Sequence, residues 1–554
     1  MKKIVIIGGV AGGASAAVRL RRLDEQAEIV MFEKDAYISY ANCGLPYYIG
    51  GSIQERSKLL VQTPEMMKSR FNIDVRVNSE VIKVDPERKI VLVRRNGKEE
   101  YEESFDYLIL APGARPIRPK IEGIDHPRIV SLRNIPDTDR LKQIVDQDGI
   151  RNVTVVGGGF IGVEMAEVLT ERGLSVTLVE AAPHILSPFD ADMVTIAEEE
   201  MQKHGVRLIL GDSVTAFTEA GEGLRVQLKS GGSQEADLVI LAIGVTPETG
   251  FLRESGIKLG PRGHILVNEH LQTNCKDIYA VGDAIEVTDF VSGRQTTIPL
   301  AGPANKQGRI AADHICGLPS TYKGSQGTSI LKIFGLTAAG TGNNERILKM
   351  NGVPFQTAVV HPNSHAGYYP GASSITLKLL FNAEGKILGA QAYGREGVDK
   401  RIDVIATVMR LKGSVYDLTE LELSYAPPYS SAKDPVNMLG YVAENALSGL
   451  SPIVSLEDVH LRDTEAMVLL DVRSRTEFDA GHIPGAVYIP VDELRGRLNE
   501  LNPAKPLMVY CQVGYRGNVA TRILRQHGYN AANLTGGYKS FEIASFRPSA
   551  RSKK

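Results

Sequence analysis

No apolar run in this chain approaches the ~20 uninterrupted residues that a bilayer crossing needs. Cysteine is scarce: Cys43, Cys275, Cys316 and Cys511 are scattered through 554 residues, with no Cys-x-x-Cys pair and no Cys/His cluster of zinc spacing. A disulfide scaffold and a structural metal are therefore not expected, and the count suits a reducing compartment in which a loop cysteine serves chemistry. An excess of one charge is missing too, with 63 Lys and Arg against 65 Asp and Glu. This argues against nucleic acid or an anionic membrane surface as partner. The opening MKKIVIIGGVAGGASAAV imitates a secretory leader, but its glycines are better explained by a nucleotide-binding turn. The expectation is a cytoplasmic protein of three or four domains.

What the sequence does contain is a repeat. KKIVIIGGVAGGASAAVRLRR…AEIVMFEKD and RNVTVVGGGFIGVEMAEVLTERG…SVTLVEAAP share one order: a β-branched strand, a glycine turn, an alanine-rich helix and a second strand ending in glutamate. Two nucleotide-binding folds follow from it. Later strands in FDYLILAPGARP, ADLVILAIGVTPET and IYAVGDA imply that the second fold is inserted into the first. The expected ranges are 1–112 and 250–325 for an FAD-binding domain and 113–249 for an NAD(P)H-binding domain. From 326 to 447 alternating strands, a helix over GVDKRIDVIATVMRLKG and another starting at Asp434–Pro435 predict an α+β domain. Residues 454–550 predict a separate small α/β domain without a glycine fingerprint.

In the second repeat Gly157, Gly159 and Gly162 have the spacing G-x-G-x-x-G, and Glu180 ends the next strand. Such glycines let the backbone approach a pyrophosphate, and a carboxylate there accepts ribose hydroxyls and repels a 2′-phosphate. This favours NADH and leaves NADPH open. The first repeat carries Gly8, Gly9, Gly12 and Gly13, with Val10 at the middle glycine position and Glu33 at the ribose position. Asp283 in AVGDA can hydrogen-bond a ribityl hydroxyl, although in isolation it reads as a turn residue. One bound and one exchanging carrier is the wiring of a flavoprotein that takes a hydride from nicotinamide onto FAD. Cys43, in ISYANCGLPYYIGG, follows the first repeat where a flavin face could lie.

IIGGVAGGASAA, YANCGLPYYIGG, LAPGARP, GGGFIGVEMAE and IYAVGDA together resemble the pyridine nucleotide-disulfide oxidoreductases over about residues 1–447. The position five after Cys43 is Tyr48, so the Cys-x4-Cys branch is excluded and a single-cysteine branch remains. That branch includes coenzyme A disulfide reductases, which pass through a mixed disulfide, and NADH oxidases and peroxidases, which pass through a sulfenic acid. SYANC, GYYPGA and LSYAPPYSSAKDPVN resemble the former. The resemblance implies Ser39 and Asn42 at the substrate, and Tyr368 and Tyr425 reaching from a dimer partner to Cys43. Arg19 and Arg22, one helical turn apart in VRLRR, suit a phosphorylated nucleotide tail or equally a solvated helix face.

In the last domain VYCQVGYRGNVA sets Cys511 at a strand end before a loop to Arg516. A loop of backbone N–H groups leading into a helix can lower a thiol pKa and hold a persulfide. With LLDVRSRTEFDAGHIPGAVYIP it resembles a rhodanese sulfurtransferase domain, in which Asp471, Arg473 and His482 occupy characteristic stretches. Asp471 and Arg473 also read as a structural pair, and His482 as a turn-orienting residue. The spacing Cys-x4-Arg suits a sulfane sulfur better than a phosphoryl group. Together the parts imply an FAD-dependent NADH reductase of coenzyme A disulfide, coenzyme A persulfide or polysulfide, acting as a homodimer on small thiol and persulfide substrates. Its rhodanese cysteine would bind or deliver sulfane sulfur. The alternatives are a peroxidase or oxidase with a Cys43 sulfenate, and a non-enzymatic redox sensor.

Overall fold

The computed structural model describes residues 2–548 and divides into two units, Met1–Pro183 with Ile209–Gly327, and His184–Leu208 with Thr328–Lys554. In the first unit a parallel sheet places Ile278–Ala280, Tyr107–Leu110, Lys3–Ile7, Glu28–Phe32 and Asp74–Arg76 side by side. Ile4, Val5 and Ile6 are fully buried, as a strand covered on both faces requires, which is why the run is continuous and not alternating. The helix Ala11–Leu23 follows the first strand and crosses the helix Ala301–Ile315 closely. A Cβ on Gly308 would lie 2.2 Å from the Gly12 carbonyl oxygen, so only glycine permits that approach.

The second parallel sheet of this unit orders Ser175–Glu180, Asn152–Val156, Leu238–Leu241 and Ile129–Ser131. The two Pro-containing passages that look alike in sequence pair with each other: Ala114–Pro116 runs antiparallel to Val245–Pro247. Tyr107–Leu110 and Ile278–Ala280, on either side of residues 113–249, are neighbours in the first sheet, the arrangement of two nested nucleotide folds.

The second unit holds an antiparallel sheet in the order Ser329–Ile333, Leu336–Gly342, Ile387–Gly394, Thr376–Phe381 and Gln356–Val360. The helices Val398–Arg410 and Pro435–Leu447 accompany it, the latter capped by Asp434 accepting from the Val436 N–H. Residues 184–208, inside the range expected for the NAD(P)H domain, group with this unit. The reason is ionic: the buried Lys378 ammonium lies 3.1 Å from Asp190, 2.6 Å from Asp192 and 2.7 Å from Glu345.

The chain then builds a parallel sheet in the order Ile453–Val454, Ala531–Leu534, Leu507–Tyr510, Val468–Asp471 and Val487–Tyr488. Side-chain contacts tie it to the antiparallel domain, among them Lys349 with Glu457 at 2.7 Å. The Val359 N–H donates to Thr535 Oγ1 at 2.6 Å, His361 Nε2 meets Ser540 Oγ at 2.9 Å, and Lys539 donates to Ser374 Oγ at 2.6 Å. Among the described residues no helix is long and apolar enough to cross a membrane.

Candidate active site

The two glycine turns are built alike. Gly8 and Gly157 have φ of 94° and 107°, and a Cβ on Gly13 or Gly162 would lie 1.9 Å from the carbonyl oxygen of Gly8 or Gly157. Each turn therefore packs against the first turn of its helix with no room for a side chain. Glu33 accepts from the Gly9 and Asp35 N–H groups at 2.9 and 3.1 Å, and Glu180 from those of Gly158 and Ala182 at 2.6 and 2.8 Å. Burial raises the pKa of Glu33 against those hydrogen bonds. Gly12 abuts the Val281 side chain, whereas the space beyond Gly159, at the N-cap of the helix Phe160–Glu171, is open. That open helix N-terminus and the carboxylates held beside both turns fit two dinucleotides. Asp283 sits on the turn Gly282–Ala284, and its carboxylate accepts from Arg133 at 3.2 Å, a partner with no local sign in the sequence.

Cys43 lies in the single turn Asn42–Gly44, immediately before the short helix Leu45–Gly50. The residue is exposed at the surface. Even so, the protein packed around its thiol, together with the Glu164 and Asp283 carboxylates, raises its pKa. Glu164, on the helix Phe160–Glu171, is pushed up to about 7 by burial and accepts a long 3.4 Å hydrogen bond from the Tyr47 hydroxyl. Burial and Glu164 push Tyr47 up to about 12. Sequence reasoning missed both; a glutamate in an apolar helix carries no local signature of the thiol it faces. Asn42 Oδ1 is buried without a hydrogen-bond partner.

A cavity of about 350 Å³ is lined by Arg19, Arg22, Arg309, Ser39, Gln62 and Asn305, among others. Arg19 is half of an ion pair, its Nε 2.6 Å from Asp313 Oδ1, while exposed Arg22 donates from Nε to the Val18 carbonyl. Ser39, which lines the cavity, has φ of 43°. Gln62 Oε1 is buried and unpartnered. Arg19 and Arg22 thus line one concave surface, Arg22 exposed and Arg19 paired, with Arg309 as a third cation that only the helix crossing reveals.

In the second unit Tyr368 and Tyr425 join hydroxyl to hydroxyl at 2.8 Å while remaining exposed, and that bond raises the Tyr368 pKa. Their loops are clamped from behind by buried Arg401, which donates to the Ser364 carbonyl at 2.9 Å, to Ser430 Oγ at 3.1 Å and to Asp434 at 3.1 Å.

Cys511 directly follows the strand Leu507–Tyr510, is buried, and accepts from the Gly514 N–H at 3.2 Å. Arg516, in the first turn of the helix Tyr515–Gln526, faces that thiol and pairs twice with Glu477, at 2.6 and 2.8 Å. Arg473 and Asp471 are a buried bidentate pair under the rings of Tyr510 and Tyr538, which is the structural reading of those two residues. His482 stacks on Phe478 and bonds its carbonyl, as a turn-orienting histidine does. Cys275 and Cys316 belong to neither site; burial raises both thiols.

Residues 2–308 match the pyridine nucleotide-disulphide oxidoreductase family, 328–435 its dimerisation domain and 457–544 the rhodanese-like domain. The coenzyme A disulfide reductase of Staphylococcus haemolyticus is 37% identical over 448 residues, 80% of this chain and 100% of the relative. The reduced CoADR-RHD of Bacillus anthracis superposes with a TM-score of 0.96 at 52% identity over 98% of both chains. The NAD-dependent persulfide reductase of A. fulgidus does so with a TM-score of 0.89 at 35% identity, over 98% of this chain and 100% of the other.

Proposed function

We infer, from the premise that this chain belongs to the pyridine nucleotide-disulphide oxidoreductase family on the coenzyme A disulfide reductase branch, that it reduces coenzyme A disulfide or coenzyme A persulfide with NADH. It is an FAD- and NAD(H)-dependent reductase with a rhodanese domain. Gly8, Gly9, Gly12, Gly13, Glu33 and Asp283 would hold FAD, and Gly157, Gly159, Gly162 and Glu180 would hold NADH. The Glu180 carboxylate repels a 2′-phosphate, so NADPH is the poorer donor. Bound there, FAD would supply the two-electron chemistry that links NADH to the sulfur at Cys43.

The chain's own residues perform the remaining work. Arg19, Arg22 and Arg309 hold the nucleotide phosphates of coenzyme A in the cavity, and Ser39 and Asn42 guide its thiol-bearing end toward Cys43. The Cys43 thiolate attacks one sulfur of the disulfide; the new S–S bond forms as the old one breaks, and coenzyme A leaves as a thiolate. Tyr425, hydrogen-bonded to Tyr368, donates a proton to that leaving thiolate from the partner subunit of a homodimer. With a persulfide the same attack leaves hydrosulfide or coenzyme A. Cys511 accepts sulfane sulfur from a donor and holds it on the backbone N–H groups of its loop.

The observation that carries this reading is the single Cys43 thiol, four residues along the chain from Ser39 in a cavity bearing three arginines. Stopped-flow oxidation of the NADH-reduced enzyme tests it: coenzyme A disulfide or persulfide should reoxidise it faster than oxygen or peroxide does. The mass of the unreduced protein should show a coenzyme A adduct on Cys43. Faster turnover with peroxide and a sulfenate at Cys43 would favour a peroxidase instead.

A further inference from the structure

The rhodanese site has its cations neutralised. Arg516, the guanidinium that faces Cys511, is engaged by both Glu477 oxygens. Glu477 is held in place by a capping box, accepting from the Ser474 N–H at 2.9 Å and its hydroxyl at 2.8 Å. Arg516 keeps the Glu477 carboxyl down at about 2, so the carboxylate is charged throughout the working range. Arg473 is paired with buried Asp471 and also donates to Gln512 Oε1 at 3.0 Å. Gln512 reaches Glu542 at 3.4 Å, and Glu542 lies in the field of Lys539. Both guanidinium cations therefore have a carboxylate beside them, and the pull on an anion at Cys511 comes from backbone N–H groups such as that of Gly514 together with an Arg516 whose charge Glu477 already offsets. The rim of the loop is apolar, with Val513 and Tyr515 exposed.

A neutral, half-buried cradle discriminates between donors. The cost of desolvating an anion rises with the square of its charge, so a dianion without a free cation is penalised far more than a monoanion. We propose that Glu477 sets the donor specificity of the Cys511 site, selecting monoanionic organic persulfides over the thiosulfate dianion by offsetting the charge of Arg516. The inference rests on the sulfurtransferase reading of Cys511 given above. In the selected step the Cys511 thiolate attacks the outer sulfur of R–S–S⁻; the Sγ–S bond forms, the donor S–S bond breaks, and R–S⁻ departs. With thiosulfate the leaving group would be the sulfite dianion, whose second charge meets only an Arg516 already offset by Glu477.

The test is sulfur transfer to cyanide by the full holoenzyme, with 2-hydroxyethyl persulfide and thiosulfate as donors and the Cys511→Ser variant as background. The wild type should favour the persulfide in kcat/KM, with a thiosulfate rate nearly independent of ionic strength. Glu477→Gln keeps the cap geometry but frees the guanidinium; the persulfide-to-thiosulfate ratio should fall about tenfold and the thiosulfate rate should become salt-sensitive. Glu477→Asp should restore part of the discrimination. A wild type that uses thiosulfate as well as the persulfide, or a ratio unmoved in Glu477→Gln, overturns the proposal. If Cys511→Ser transfers as fast as wild type from both donors, the sulfurtransferase reading itself falls and takes the proposal with it.

Discussion

The thiol proposed as the nucleophile, Cys43, is held by groups that disfavour its ionisation. Glu164 and Asp283 place negative charge near Cys43 and add to the effect of burial, so in the flavin-free protein alkylation of Cys43 should climb only above the ordinary cysteine range near pH ~8.5. Glu164 itself ionises around 7. Below that it is neutral and contributes no repulsion; above it the carboxylate opposes the thiolate. Glu164→Gln should therefore leave the iodoacetamide rate at pH 6 almost unchanged and raise it several-fold at pH 8, and a rate unchanged at both pH values would remove Glu164 from the account. Cys43→Ser should abolish reduction of coenzyme A disulfide and persulfide while the flavin spectrum persists. Cys43 was legible from its loop and its lack of a second cysteine. The field around it was not, because Glu164 is brought there by a helix more than a hundred residues later.

At the scale of elements, the strands before each glycine turn were legible, since Ile and Val runs buried on both faces need no partner to be recognised. The turns were legible for a related reason: the close approach of Gly162 to Gly157 is a local demand. Gly162→Ala should raise the KM for NADH about tenfold or more while leaving FAD content intact, because the clash at 1.9 Å displaces only the second turn. The attachment of residues 184–208 was not legible, because it depends on Lys378 in a strand remote in sequence. Removing that ammonium strips Asp190 and Asp192 of their cation and leaves Glu345 with Lys349 alone. Lys378→Met should destabilise the unit by ~3–5 kcal/mol, read as a lowered urea midpoint, and adding Asp192→Asn and Glu345→Gln should recover much of the loss. Glu477 lay in plain view three residues after the serine of a Ser-x-x-Glu cap, yet its grip on Arg516 required the strand end before Cys511 to meet that cap.

On the scale of the whole molecule, the two chemistries occupy separate loops, and the reductase should survive the loss of the sulfurtransferase. Cys511→Ser should eliminate sulfur transfer to cyanide and leave NADH reduction of coenzyme A disulfide within twofold of wild type. The tyrosine pair makes a stricter demand. Tyr368 and Tyr425 sit exposed on loops clamped by Arg401, an expensive arrangement unless the hydroxyls meet something outside their own subunit. If they serve the partner's thiol, a dimer of one Cys43→Ser subunit and one Tyr368→Phe/Tyr425→Phe subunit contains one intact site; if they serve their own, it contains none. Unfolding and reassembling an equal mixture of the two inactive variants should then restore about a quarter of wild-type activity, half the dimers being mixed and each mixed dimer carrying one working site of two. Activity that stays at the level of the separate variants would place both tyrosines in the service of their own chain.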